Sequence, residues 1–201
     1  MKKIIIIDYG LGNLRSVYRG LEKSGADPVI SSDPAEIGAA EGIVLPGVGA
    51  FRDGMEQLGG IKEPLLAAAA KVPVLGICLG MQMLLDWSEE HGMHRGLSLI
   101  PGSVRRFPRK PGYKIPHMGW NSLQCIKEGD PLLEGLSGGE YVYFVHSFYA
   151  DPEPSYSVAS TDYICSFSSV IGKDQVYGVQ FHPEKSGATG IRILKNFIEL
   201  V

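Results

Sequence analysis

Two short stretches of this chain carry residue types suited to nucleophilic catalysis. The first is Gly76-Ile77-Cys78-Leu79-Gly80. It closes the apolar run Val72 to Ile77 and opens a segment, Leu79 to Trp87, that reads as a helix. A strand turning sharply into a helix lifts the residue at the turn clear of the backbone. This is the context of a nucleophile elbow, here with cysteine in place of serine. Gly76 and Gly80 have no side chains, so the turn can be tight. A sulfur beside a helix N-terminus is favoured as thiolate, and the Leu79 N–H points where an oxyanion would form. The second stretch is Gln180-Phe181-His182-Pro183-Glu184-Lys185-Ser186. Pro183 holds His182 extended, and residues two apart on an extended chain project to the same side. Glu184 can then orient the His182 imidazole, which gives a base with its orienter.

A third piece, Pro46-Gly47-Val48-Gly49-Ala50-Phe51, also follows an apolar run and could supply a second oxyanion N–H. Each piece has a structural reading when taken alone: a buried cysteine, a surface His and Glu, a glycine-rich turn. That all three readings hold together is much less probable than any one of them. The remaining candidates carry less. Asp8-Tyr9-Gly10-Leu11-Gly12-Asn13 could cradle a phosphate but lacks the third glycine of a dinucleotide site. His91 and His94 have no acidic or thiolate partner at metal spacing, so no metal is expected. His117 lies in a turn-prone stretch beside an exposed-looking aromatic, Trp120. Ser88-Glu89-Glu90 reads as a solvated helix end, Arg105 to Lys110 as a solvated loop, and Cys125 and Cys165 as half-buried positions.

The elements that must position these groups alternate. Ile4–Ile7, Val29–Ile30, Gly42–Leu45 and Val72–Ile77 read as strands. Between and after them come helical patterns at 13–23, around 65–70 and at 79–87, so βαβ units and a parallel sheet follow. Farther along, Tyr141–Tyr149, Tyr156–Ser160, Ser166–Ile171 and Gln175–Phe181 read as strands with short turns, an antiparallel or mixed extension. A last helix at 188–201 would present Ile191, Leu194, Ile198 and Val201. The fold class expected is α/β, a three-layer sandwich with a mixed, mostly parallel central sheet. The strands 42–45, 72–77 and 175–181 would bring their carboxyl ends, and so the three chemical pieces, to one edge.

Composition sets the outer limits. The chain has 201 residues, enough for one domain with a full core. Its 19 Lys+Arg against 22 Asp+Glu leave a net charge of −3, which gives no electrostatic case for nucleic acid or an anionic membrane. Four isoleucines after two lysines at the start are too few for a signal peptide. No run approaches the ~20 apolar residues that span a bilayer. Three widely spaced cysteines make a poor disulfide framework, so a reducing cytoplasm is the expected setting.

With GICLGMQ at 76–82 and HPE at 182–184, the chain resembles the class I, or triad, glutamine amidotransferases. The stretches DYGLGNLRS (8–16), PGVGAF (46–51), PHMGWN (116–121), YFVHS (143–147) and QFHPEKS (180–186) span the chain in order. They resemble the branch of that class that serves imidazole glycerol phosphate synthases. The resemblance implies a flavodoxin-like fold over residues 1–201 and a Cys78, His182, Glu184 triad that hydrolyses L-glutamine through a thioester. It implies an oxyanion hole from Val48 and Leu79, and a glutamine pocket of Gly49, Gln82, Glu90, Tyr143, His146, Ser147 and Phe148. It also implies no cofactor, and a heterodimer with a (β/α)8-barrel cyclase that meets Asn13, His117, Met118, Trp120, Asn121 and Lys185. Three other readings stay open at this point: a different cysteine hydrolase on a similar elbow, a flavodoxin-like binding module, and an amidotransferase subunit for aminobenzoate, purine, pyrimidine or pyridoxal synthesis.

Overall fold

A computed structural model describes residues 1–124 and 127–201. Cys125 therefore lies outside the described residues. The strands in chain order are β1 (Lys3–Ile7), β2 (Asp27–Ser31), β3 (Gly42–Leu45), β4 (Val74–Ile77), β5 (Trp87–Ser88), β6 (His94–Arg95) and β7 (Gly102–Arg106). They continue with β8 (His117–Ser122), β9 (Tyr141–His146), β10 (Phe148–Pro152), β11 (Ser157–Asp162), β12 (Ser166–Lys173) and β13 (Val176–Val179). The helices are α1 (Leu14–Lys23), α2 (Pro34–Gly38), α3 (Phe51–Leu58), α4 (Lys62–Ala69), α5 (Leu79–Met83) and α6 (Gly187–Leu200).

The main sheet runs β2-β1-β3-β4-β13-β12-β10-β7-β5-β6, with β11 on β12. From β2 to β13 every pairing is parallel. The pairings of β10, β11 and β12 are antiparallel, and at the far edge β5 pairs parallel with β7. A separate two-stranded sheet, β8-β9, sets His117 opposite His146. The period of two sorts side chains between faces. Ile4 and Ile6 pack with Val17 and Leu21 of α1 and with Ile193, Leu194 and Phe197 of α6. Ile5 and Ile7 pack with Ile37 of α2, Phe51 of α3 and Leu65 of α4 on the other face. The parallel strands are covered on both faces, which is why they read as unbroken apolar runs.

Three expectations fail locally. The helix after Cys78 stops at Met83 instead of Trp87, because Trp87 and Ser88 are drawn into sheet pairing with β7 and β6. The single strand expected over 141–149 breaks at Ser147, so that β9 joins the small sheet and β10 the large one. The buried face of α6 is Ile193, Leu194 and Phe197, rotated from the expected one. Gly190 lies against the Pro183 carbonyl, and Asn196 Nδ2 donates to the carbonyls of Leu132 and Glu134, both at 2.9 Å.

Backbone contact fixes the elbow. A side chain on Gly80 would collide with the Leu45 carbonyl, and one on Gly76 would stand 2.7 Å from the Met81 nitrogen. Gly80→Ala should therefore lower stability by about 1–3 kcal/mol or more. Gly59→Ala, at a right-handed helical position with open space around it, should be neutral or gain up to about 1 kcal/mol. Paired thermal unfolding curves measure both, and equal Tm values for the two variants would contradict this packing.

Candidate active site

Because β3, β4 and β13 are parallel neighbours, their carboxyl ends lie side by side. Those ends lead into Pro46–Phe51, Cys78 and Gln180–Glu184 in turn. The Cys78 N–H donates to the Val179 carbonyl at 2.8 Å, which ties the elbow to β13. Cys78 itself has φ +54° and ψ −108°, a conformation an L-residue adopts only when its surroundings impose it. Its residue exposure is 7%. The sulfur lies 3.8 Å from the Val145 carbonyl, which can accept from the thiol, and 3.8 Å from the Gln180 side-chain nitrogen, which can donate to it.

His182 is held by backbone from two sides. Its N–H donates to the Tyr143 carbonyl at 2.9 Å, and its own carbonyl accepts from the Ser186 hydroxyl at 2.6 Å. The Tyr143 N–H donates in turn to that hydroxyl at 3.0 Å. The imidazole Nδ1 meets Glu184 Oε1 at 2.9 Å, with both side chains almost wholly buried. Nε2 is buried without a hydrogen-bond partner. Burial works against the charged ring, but the neighbouring Cys78 sulfur and the Glu184 carboxylate outweigh it and raise the His182 pKa to about 9.

A cavity of about 220 Å³ opens on these groups. Its walls include Val48, Gly49, Leu79, Gln82, Glu90, His146, Ser147 and Phe148 together with Cys78 and His182. Gly49 takes φ +105° there, in the loop that runs into α3. The Leu79 N–H lies in the first turn of α5, where helical amides have no partner within the helix. Glu90 is no solvated helix end: its Oε2 accepts from the Phe51 N–H at 2.7 Å and so joins the cavity wall to the start of α3. Tyr143 stands outside the lining. It packs edge-on against Trp120 at 6.0 Å, and its main chain, not its ring, serves the site by holding His182.

Met118 and Trp120 are 65% and 56% exposed, and Met118 forms part of the cavity wall. Asn13 and Lys185 are exposed and Asn121 is half-buried. His117 differs from its expected place in a turn with partner contact. It lies in β8, 3% exposed, stacked between Tyr163 at 4.0 Å and Phe144 at 4.8 Å. Stacking buries it, so it can support a surface but not form one. The stretch from Arg105 likewise is no free loop, since Arg105 and Arg106 end β7 and Phe107 is buried.

Gln180, wholly buried beside the sulfur, and Ser186, 1% exposed under His182, were given no part by sequence. The extended chain expected through Glu184 ends at His182: Pro183–Lys185 form a 3-10 turn, and Glu184 meets the imidazole around that turn. Gln180 lies just past the end of β13 and reaches the sulfur from there. Among the described residues, no group of His, Cys, Asp and Glu could hold a metal ion.

Comparison with known proteins decides the family. A family model described as "Glutamine amidotransferase class-I" matches residues 5–200. The chain belongs to the class I glutamine amidotransferases. Among curated relatives, the imidazole glycerol phosphate synthase subunit HisH of Methanosarcina acetivorans is 54% identical over the whole of both chains. The subunit of the same name from Natronomonas pharaonis is 53% identical, over 98% of this chain and 94% of the relative. Solved structures share the amidotransferase fold at low identity. A glutamine amidotransferase has a TM-score of 0.75 and 15% identity, covering 98% and 97% of the two chains. A chain in the structure of PurLQS from Thermotoga maritima has 0.74 and 19%, covering 99% of each.

The raised His182 pKa carries a sign. The folded state binds this proton more tightly than the unfolded chain does. The stabilisation is therefore complete below pH 6.5 and is lost as pH rises through about 9. In Glu184→Gln, the His182 ring should titrate lower than in the wild type, and the stability gap between the two proteins should narrow over that window. NMR titration of the ring and denaturant unfolding against pH measure these effects. An unmoved ring pKa would contradict the pairing.

Proposed function

We propose that this chain, acting as one glutaminase domain over residues 1–201, is the ammonia-producing subunit of an imidazole glycerol phosphate synthase. Full-length identity of 54% to such a subunit supports the assignment, and the meeting of Cys78 and His182 on one cavity, with Glu184 bonded to the far side of the imidazole, supports the chemistry. The solved relatives below 25% identity bear on fold alone, and no observation favours aminobenzoate, purine, pyrimidine or pyridoxal synthesis.

The reaction begins with L-glutamine in the cavity, its carboxamide carbon toward Cys78 and its amino-acid end toward Gln82, Glu90 and the Ser147–Phe148 wall. A carboxylate such as Glu90 suits the substrate ammonium. His182, its pKa raised to about 9 by Cys78 and Glu184 against the effect of burial, takes the thiol proton, and the pair becomes a thiolate facing an imidazolium. The thiolate attacks the carboxamide carbon, and the carbonyl electrons move onto oxygen. The N–H groups of Leu79 and of the Val48 loop receive that charge. His182 gives its proton to the departing nitrogen, the C–N bond breaks, and ammonia and a γ-glutamyl thioester remain. Water then attacks the thioester while His182 takes its proton. A second oxyanion collapses, the C–S bond breaks, and glutamate leaves with the thiolate restored. Glu184 holds the imidazole orientation and offsets its charge throughout.

Ammonia freed into water at neutral pH is protonated and ceases to be a nucleophile, so its acceptor must sit close by. The proposed acceptor is a cyclase subunit, a (β/α)8 barrel, docked over Met118 and Trp120 with Asn13, Asn121 and Lys185 at the rim. Trp120, an exposed aromatic, suits the anchor of such an interface. Together the heterodimer would yield imidazole glycerol phosphate and aminoimidazole carboxamide ribotide for histidine synthesis. The proposed setting is the cytoplasm, in keeping with free thiols at Cys78 and Cys165. No helix among the described residues is long and apolar enough to cross a membrane.

Glutamate release at saturating glutamine tests the reading. The isolated chain should turn over slowly, the cyclase should raise its kcat at least about tenfold, and Cys78→Ser should lower that rate by more than about a thousandfold. Equal rates with and without the cyclase would refute the coupling, and an active Cys78→Ser would refute the nucleophile.

A further inference from the structure

The Cys78 sulfur has two polar neighbours besides His182, and each suits a different protonation state. The Val145 carbonyl can only accept, so it serves the thiol. The Gln180 amide nitrogen can only donate, so it serves the thiolate. A primary amide could in principle turn its oxygen to the sulfur instead, and a hydrogen-bonded chain prevents this. Gln82 Nε2 lies 2.9 Å from the Phe148 carbonyl and 3.1 Å from Gln180 Oε1. Both atoms are acceptors, so they consume both Gln82 donors, and the Gln180 oxygen is committed to that side.

The Phe148 carbonyl also accepts from His146 Nδ1 at 2.8 Å, which fixes that ring as the Nδ1–H tautomer. His146 Nε2 must then accept, and His117 Nδ1 supplies the proton at 2.9 Å. His117 Nε2 is left as the acceptor for Asn121 Nδ2 at 3.3 Å. Two backbone bonds anchor Asn121 itself: its Nδ2 donates to the Asp162 carbonyl at 2.9 Å, and its Oδ1 accepts from the Ser122 N–H at 2.8 Å. Burial lowers both histidines, His117 to about 4 and His146 to about 3, so the chain stays neutral and keeps one direction at neutral pH.

We infer that Gln180 is a further catalytic residue, its side-chain N–H holding the Cys78 sulfur as thiolate, with Gln82 as the positioning residue that fixes its direction and His146, backed by His117 and Asn121, holding the Phe148 carbonyl on which Gln82 is anchored. The inference rests on the reading of Cys78 as nucleophile. A donor to an anion forms a stronger bond than a donor to a neutral group. The Gln180 contact therefore strengthens as the proton passes from sulfur to His182, while the Val145 contact is lost. The other titratable groups around the sulfur do different work. His182, backed by Glu184, takes the proton. Tyr9, its hydroxyl held protonated by burial and by the nearby Cys78, donates to the Pro46 carbonyl at 2.7 Å. His146 faces the Phe148 carbonyl and His117, and Glu90 faces the Phe51 N–H.

The test follows Cys78 alkylation by chloroacetamide, a neutral electrophile, against pH in the full-length chain, with glutaminase kinetics alongside. Gln180→Met keeps the volume and removes the donor. Its alkylation midpoint should rise by about one pH unit, and its kcat should fall about tenfold with the glutamine KM within about twofold. His146→Asn should move the midpoint the same way by less. Should Gln180→Met fail to fold, the near-isosteric Gln180→Glu decides, and its midpoint should rise further because it sets a carboxylate against the sulfur. A wild-type midpoint in the folded Gln180 variant overturns the inference even if activity falls. A wild-type Cys78 that is neither alkylated nor protected by glutamine overturns the nucleophile reading, and the inference with it.

Discussion

The site depends on how closely the start of α5 approaches the end of β3. At Gly80 the helix backbone comes so near the Leu45 carbonyl that no side chain fits between them. That approach forces β4 to become α5 within a single residue, and Cys78 absorbs the turn at φ +54°. Backbone strain of this kind costs on the order of 1–3 kcal/mol and lasts only where packing over-determines it. Here the packing comes from two apolar layers on a sheet whose central strands are covered on both faces. Loosening the approach would let Cys78 relax into an ordinary conformation and withdraw its sulfur from His182.

Strand order does the remaining assembly. The pieces at 46–51, 78–80 and 180–184 are far apart in sequence, and none would find another by local structure. They meet because β3, β4 and β13 are adjacent and parallel. The small β8-β9 sheet then closes one side. Its Tyr143 carbonyl pins the His182 backbone, and the chain beyond it, through Val145, His146, Ser147 and Phe148, lines the cavity. A buried carboxylate–imidazole pair is costly to desolvate and becomes worthwhile only with a further charge to face. Here burial disfavours the charged His182, and Cys78 and Glu184 together outweigh it.

Much of this was legible in the sequence. The parallel half was visible because buried parallel strands read as unbroken apolar runs, and the elbow and His-Pro-Glu were visible because each is local. The failures share a cause. Trp87 and Ser88 belong to a helical-looking segment but join a sheet through partners at Arg95 and Ser103. Ser147 breaks an apparently continuous strand because its two halves serve different sheets. His117 reads as part of a turn beside an exposed-looking Trp120, yet its place opposite His146 and between two aromatic rings follows from pairing across the chain. Gln180 and Ser186 act through single atoms, a side-chain N–H and a hydroxyl, whose targets only the folded chain brings near.

All of this converges on one covalent bond, between the sulfur of residue 78 and the side-chain carbonyl carbon of glutamine. Rapid acid quench of the enzyme turning over saturating glutamine, followed by peptide mass spectrometry, looks for that bond directly. The account predicts one glutamyl acyl group on the peptide that carries Cys78, formed and discharged at the rate of glutamate release. An acyl group on Cys125 or Cys165 instead, or steady glutamate release with Cys78 never acylated, would contradict it.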